Sequence, residues 1–354
     1  MFPYLTVLLI VVLIVYAARR SRRRGTAALG IGVASVLLIL FAGFRDSRVG
    51  TDTGIYVYQF TQVDSLQSAL SGDMEVGFLL LNWTAKLVSD SYASLLLLIA
   101  AIIVPLYVST IVRLAKRYET GIYLFVALGV YSFFFNGARQ AISAAICFWA
   151  IRFILDRRLI PYATAVGLAM LFHKTALVAL PLYFLAVPRL RIAGLVGLFA
   201  GSLVLAAFLG IFVELTAELL GDRFASYAEE GEGGGRVMGM FLLIQGALLA
   251  WLRRFIRDER EIYTRLLNIY LVGLVPVAVS ILSSVNPSGL LRLHIYFTAV
   301  AVLLWPMVFR HVQGIQQRGM LGFAFVLFTI AFFVTTTSSF SALVPYQLNA
   351  ELFQ

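Results

Sequence analysis

YLFVALGVYSFFF (Tyr123–Phe135), NGARQ (Asn136–Gln140) and AISAAICFWAIRF (Ala141–Phe153) follow one another without interruption. Two apolar runs flank five residues, too few for an ordinary loop between membrane helices. Arg139 therefore sits at or near the start of a membrane helix, directly after a glycine turn. A guanidinium beside hydrocarbon is costly unless it is partnered, and inside a membrane segment it marks a functional site by default. A helix N-terminus carrying an arginine is an anion site, because unpaired backbone N–H groups and a fork of cationic donors point the same way.

The remainder of the chain fits that environment. Of 354 residues, 61% are hydrophobic and 13% charged, where a soluble domain carries about 25% charged residues. The expected fold is all-α, a polytopic membrane bundle forming a single transmembrane domain over 1–354. The one cysteine, Cys147, lies in an apolar stretch and reads as packing; it excludes an internal disulfide and a thiolate metal cluster. Phe2–Ala17 lacks a preceding basic region and a small-residue cleavage site, and reads as a retained helix. H-E-x-x-H, Walker, G-x-S-x-G and C-x-x-C patterns are all missing, and Asp46 and Asp52 are too far apart in sequence for a strong divalent site. No cofactor and no metal are expected, and ATP use is disfavoured.

Apolar runs place about 12 spans near 3–18, 26–44, 92–112, 121–135, 139–155, 159–172, 175–187, 192–213, 237–252, 265–283, 290–309 and 320–338. Alternation then puts Arg19–Arg24, Arg113–Arg117, Arg152–Arg158, Arg189–Arg191, Arg253–Arg265 and Arg310–Arg318 on one face, with most of the 28 Lys and Arg residues. The positive-inside rule makes that face cytoplasmic and both termini extracytoplasmic. The net charge of +10 is thus topological, and nucleic acid is not an expected partner.

Two places depart from regular spans. The segments 159–172 and 175–187 are each only about 20 Å long at 1.5 Å per residue, short of a core of about 30 Å. They read as a broken or re-entrant pair with its tip, His173-Lys174, lining a wet cavity. Residues 75–89 carry Phe78, Leu79, Leu80, Leu81, Trp83 and Leu87, too short and polar to span, and read as an amphipathic surface helix within the outer loop 45–91.

Eight basic residues fall on the outer face against the charge bias: Arg45, Arg48, Lys86, Arg139, Lys174, Arg223, Arg236 and Arg292. Arg45, Asp46, Arg48, Gly50 and Asp52 crowd into one loop after a helix, an arrangement suited to anion binding or to a local Asx turn. His173 can donate to an oxyanion or move a proton. Arg292, after Asn286-Pro287-Ser288-Gly289, repeats the turn-then-arginine arrangement of Arg139. In the outer loop 214–236, Arg223 and Tyr227 stand beside glutamates and a triple glycine, as in a mobile flap that could stack on a sugar.

Four short motifs occur in order: Arg48-Val49-Gly50-Thr51-Asp52 with Tyr56; Glu75-x-Gly77-Phe78 with Leu81-Asn82; Phe135-Asn136-Gly137-x-Arg139-Gln140; and Phe172-His173-x-Thr175-Ala176-Leu177 with Pro181. Together they resemble the EpsG-like family of Wzy-type bacterial polysaccharide polymerases, over roughly residues 40–185. Lys174 departs from the family, which often has a neutral residue there. The resemblance implies a GT-C-like or Wzy-like bundle with short outer loops. It also implies a membrane glycosyltransferase of the hexosyltransferase type. The substrates would be oligosaccharide repeat units carried on undecaprenyl diphosphate, as donor and as acceptor, in exopolysaccharide biosynthesis. Membrane lipid and a chain-length-regulating co-polymerase are the other implied partners.

The residue chemistry fits such a reaction. The leaving group is a diphosphate, which needs charge neutralisation and no general acid. Arg139 with Arg292 is assigned to the diphosphate, His173 to a donor or base role, and Asp52 to the acceptor hydroxyl, with Asp46 second. Arg45 and Arg48 complete an anion clamp or orient those aspartates. Glu75 and Gln140 are further polar contacts. An O-antigen-ligase-like transferase would use the same chemistry, but such ligases usually carry a larger outer domain. A polysaccharide or lipid-linked-sugar transporter suits broken helices, but no internal repeat is visible.

Overall fold

The structure is a computed structural model that describes residues 1–189 except 22 and 73, then 194, 234–282, 291–311, 315–339 and 342–350. All regular elements among them are helical. The chain forms two compact units, 1–180 with 313–354, and 181–312. Seven described helices are long and apolar enough to cross a membrane: Phe2–Arg20, Arg24–Gly43, Ala93–Leu114, Ala138–Leu155, Gly235–Phe255, Arg260–Ile281 and Gly319–Ser339. The remaining apolar segments are shorter helices. The expected span 192–213 and the loop holding Arg223 and Tyr227 lie outside the described residues.

In the first unit α1 (Phe2–Arg20) and α2 (Arg24–Gly43) form a tight hairpin. Gly30 admits the Ala18 methyl, which a β-carbon would approach to 2.8 Å, the close backbone contact that small residues allow between membrane helices. At the other end of α2, Gly43 packs on Leu97, near the start of α6 (Ala93–Leu114). A β-carbon there would lie 2.9 Å from the Leu97 Cα. The intervening chain holds α3 (Thr53–Thr61), α4 (Leu66–Leu70) and α5 (Val76–Val88). The chain enters this stretch from the end of α2 and leaves it into the start of α6, which share one end of the unit. The 13 residues of α5 do not cross the unit; they cover that end, with Phe78, Leu79, Leu81 and Ala85 inward and Leu80, Leu87 and Val88 exposed. The helix expected at 75–89 is α5.

The stretch quoted at the outset folds as α7 (Tyr118–Ala127), a turn at Gly129 (φ +74°), α8 (Phe133–Asn136) and α9 (Ala138–Leu155). The expected single span at 121–135 is therefore interrupted, because Gly129 takes up a left-handed conformation that ends α7. Arg19 and Arg117 pair with Glu119 at 3.7 and 3.5 Å, so the basic turns after α1 and before α7 share the end opposite Gly43. α10 (Leu159–Met170) follows, then a bend at Leu171–His173 and a 3₁₀ helix, Lys174–Ala179. The Tyr162 hydroxyl, in the first turn of α10, donates to Ala179 O at 2.6 Å. The 3₁₀ helix therefore runs back along α10, and the 159–179 stretch is a hairpin with its tip at Leu171–His173.

The second unit contains α11 (Leu182–Leu185), α12 (Gly234–Leu252), α13 (Arg260–Val272), α14 (Leu274–Leu282), α15 (Ile295–Thr298) and α16 (Ala301–His311). Tyr270 and Tyr263 on α13 donate to Leu242 O and Leu249 O at 2.9 and 2.8 Å, tying α13 to α12. Arg310 pairs with Glu259 at 2.9 Å. The expected span 290–309 is broken by turns at 293–294 and 299–300. The last long helix, α17 (Ile315–Ser339), belongs to the first unit, where Thr329 meets the Tyr123 hydroxyl of α7 at 2.6 Å.

Candidate functional site: a carboxylate shared by an arginine and a histidine

The four motifs, spread over more than a hundred residues, meet at one end of the first unit. The first lies on the third: Gly50 (φ +102°) presses on Phe135 O, where a β-carbon would come within 2.4 Å. Thr51 N–H donates to Asn136 Oδ1 at 2.8 Å, and the Thr53 hydroxyl donates to Phe135 O at 2.9 Å. The second lies on the fourth: Gly77 N–H donates to Leu171 O at 2.8 Å, in a space where a β-carbon would be 2.7 Å from that oxygen. Both glycines are required by close backbone approach, and Gly50 also by its dihedral angle.

Glu75, immediately before α5, is the centre of the cluster. Arg139 Nη1–H donates to its Oε2 at 2.6 Å. His173 Nδ1 lies 3.2 Å from its Oε1, at hydrogen-bond distance but off the line of one. The Lys174 backbone N–H donates to the same oxygen at 3.3 Å. Tyr56, on α3, is a hydrogen-bond partner of the Arg139 guanidinium and packs against Phe78 with ring centroids 5.2 Å apart. The Glu75 side chain is 10% exposed, Arg139 27% and His173 26%. The arginine and the imidazole are thus more open to solvent than the carboxylate they share. One turn along α9, the Ser143 hydroxyl donates to Ala169 O and fixes α9 against the top of α10.

Burial by itself raises the Glu75 carboxyl. The His173 contact, its own backbone N–H and the charges of Arg139 and His173 outweigh burial and hold the group down to about 2, against an ordinary 4.5. That difference corresponds to roughly 3 kcal/mol. Because the folded value is the lower one, this stability is fully present above pH 4.5 and is lost as pH falls towards 2. Glu75→Gln is expected to melt below the wild type at pH 7, with the gap closing as pH falls from 4.5 towards 2. Melting curves in detergent check this, and a gap independent of pH would refute it.

The other expected site residues are placed as follows. Arg48 pairs with Asp46 through Nε at 2.8 Å and is exposed, and that bond holds the Asp46 carboxyl below its ordinary range. The Asp52 side chain accepts the Thr51 hydroxyl at 3.1 Å, and Asp52 precedes the first residue of α3. Gln140 is buried on α9. The Lys174 side chain is exposed and makes no ion pair among the described residues. Arg45 is fully buried. Its guanidinium donates to Ala42 O and Thr53 Oγ1 and lies 4.3 Å from the Phe135 ring centroid. Desolvation lowers it to about 10, opposed by Tyr131, Tyr4 and Tyr346, so it is still charged at neutral pH. It serves as an internal pin under the loop. Arg292 belongs to the second unit, half-buried at the start of the turn before α15. Sequence reasoning left Tyr56 out of the site and ranked Glu75 low; both stood in the motifs, but nothing local pointed to their partners.

A model of the EpsG family matches residues 30–348. The chain belongs to the EpsG family. EpsG is a family of Wzy-type polymerases, and membership extends the resemblance of residues 40–185 to nearly the whole chain. No curated protein and no solved structure matches the chain significantly. Family and helices together make this a membrane protein of the polysaccharide-polymerase kind.

Proposed function

We propose that this EpsG-family chain is a glycosyltransferase that joins oligosaccharide repeat units carried on undecaprenyl diphosphate, at the outer face of the bacterial cytoplasmic membrane. The observation that carries the proposal is the partly buried Arg139–Glu75–His173 cluster at the start of α9. In the reaction, an acceptor sugar hydroxyl attacks the anomeric carbon of the donor. The bond from that carbon to the diphosphate oxygen breaks, and the diphosphate leaves with the electron pair. Arg139, held by Glu75 and Tyr56, neutralises the growing charge. The exposed Lys174 ammonium adds a point charge to the same anion. His173, with Nδ1 turned towards Glu75, offers Nε2 to the proton of the acceptor hydroxyl, and Glu75 supports the resulting imidazolium. Asp52 orients the acceptor. Arg292, Arg223 and Tyr227 are proposed as further phosphate and glycan contacts on their chemistry alone.

The 159–179 hairpin is proposed to enter the membrane from the cytoplasmic side, after the basic turn 152–158, and to return, with its tip towards the outer side beside Arg139 and Glu75. The basic turns then face the cytoplasm, as the positive-inside rule requires, and α1 begins outside. Purified protein in detergent, given a lipid-linked repeat unit as donor and acceptor, is expected to produce a ladder of lengthened lipid-linked chains. A ladder excludes a transporter, which needs a bilayer. Transfer only to a different acceptor would identify a ligase instead.

A further inference from the structure

The segment 342–350, which follows α17, folds back onto the loop that closes α2. Asp46 N–H donates to Gln347 O, Gly50 N–H to Ala342 O, and Asn349 N–H to Phe44 O, each at 2.9 Å. Arg45 and Leu348 form an isolated antiparallel bridge. Tyr346 stacks on Phe41 with centroids 4.2 Å apart, and its hydroxyl donates to Phe41 O at 2.7 Å. The Tyr4 hydroxyl of α1 donates to Leu343 O at 2.8 Å. Leu343 and Asn349 are 1% exposed. A loop end bonded at three backbone positions has little freedom left, and it is the loop whose other side touches the anion site.

Continuing outward from the segment, each contact leads to the next. Gly50, Thr51 and Thr53 are bonded to or pressed on Phe135 and Asn136, and Arg45 lies over the Phe135 ring. Phe135 and Asn136 are followed by Gly137 and the first turn of α9, which carries Arg139. We infer that residues 342–350 are a positioning strap for the anion site, fixing the 44–53 loop and through it the start of α9 and the aim of Arg139. This rests on the proposed function only for the ligand that Arg139 meets; the strap itself is a matter of contacts.

The test uses Val49, a residue of this loop that is 1% exposed. The native Cys147 is buried and serves as background. In a Val49→Cys chain the introduced thiol is expected to resist a soluble maleimide. The same variant ending at Ser339 is expected to label at least tenfold faster and to bind farnesyl diphosphate at least tenfold more weakly in detergent. Asn349→Pro removes one strap N–H together with a buried amide side chain and leaves the helices untouched in sequence. It is expected to raise the donor KM severalfold and to lower kcat with it, the melting temperature staying nearly unchanged; a general loss of folding would lower the active fraction without raising KM. The inference is overturned if the introduced thiol stays protected without the strap, or if it becomes reactive while diphosphate affinity is unchanged. A full-length chain that binds the diphosphate but never elongates a repeat unit sinks the polymerase proposal and leaves the strap standing. One that binds no diphosphate removes both.

Discussion

Replacing Arg139 by alanine is expected to abolish chain growth while the protein remains inserted, with single lipid-linked repeats accumulating in cells. Removing one donor aimed at a developing oxyanion costs on the order of 10²–10³ in turnover, and an arginine neutralising a phosphate leaving group on the order of 10³–10⁵. A fall of at least about 10³ is therefore expected in the detergent assay. Arg139→Lys keeps a charge but loses the fork that serves Glu75, Tyr56 and a phosphate together, so only partial recovery is expected. Alanine also leaves Glu75 buried without its closest partner, which costs stability by itself. The double variant Arg139→Ala/Glu75→Gln separates the two effects: it should recover melting temperature and stay inactive. Normal polymer length in Arg139→Ala would end the assignment.

Much of this arrangement could be seen in the chain before any coordinates. Apolar runs near 3–18, 26–44, 92–112 and 139–155 correspond to α1, α2, α6 and α9, because a helix that must satisfy its own backbone in lipid leaves an unbroken hydropathic record. The glycine turn before Arg139 and the short 159–172 segment were equally plain. The partners were not. Glu75 stands 64 positions from Arg139 and nearly a hundred from His173, and only packing decides which of several outer carboxylates receives them. Asp52, next to the arginine-rich loop, looked the better placed; in the fold its side chain takes the Thr51 hydroxyl. Arg45 looked like a ligand clamp because charge is visible in sequence and burial is not. The broken helices at 118–136 and 291–311 show the same limit, since hydropathy is blind to a turn at Gly129 or at Leu293–His294.

The pairing of Glu75 with His173 carries the second large effect. His173→Gln is expected to lower kcat by about 10²–10⁴, the range for loss of a positioned base. Glu75→Gln is expected to lower kcat by about 10² and to leave the donor KM no worse, because the amide still accepts from Arg139 and no longer competes with phosphate for its charge. The double variant distinguishes a pair from two independent residues. If Glu75 acts through the imidazole, removing it after His173 is gone should cost little, and the double should resemble His173→Gln alone. Multiplying losses would mean that Glu75 works through Arg139 only, and the donor KM would then rise in Glu75→Gln. Asp52→Asn supplies the comparison, since it keeps the acceptor contact and loses the charge. A larger loss of kcat in Asp52→Asn than in Glu75→Gln would return the role of proton acceptor to the loop. The shared contact of Glu75 with Arg139 and His173 favours the opposite order: a carboxylate that already holds the anion site and the base in one grip couples proton transfer to diphosphate departure.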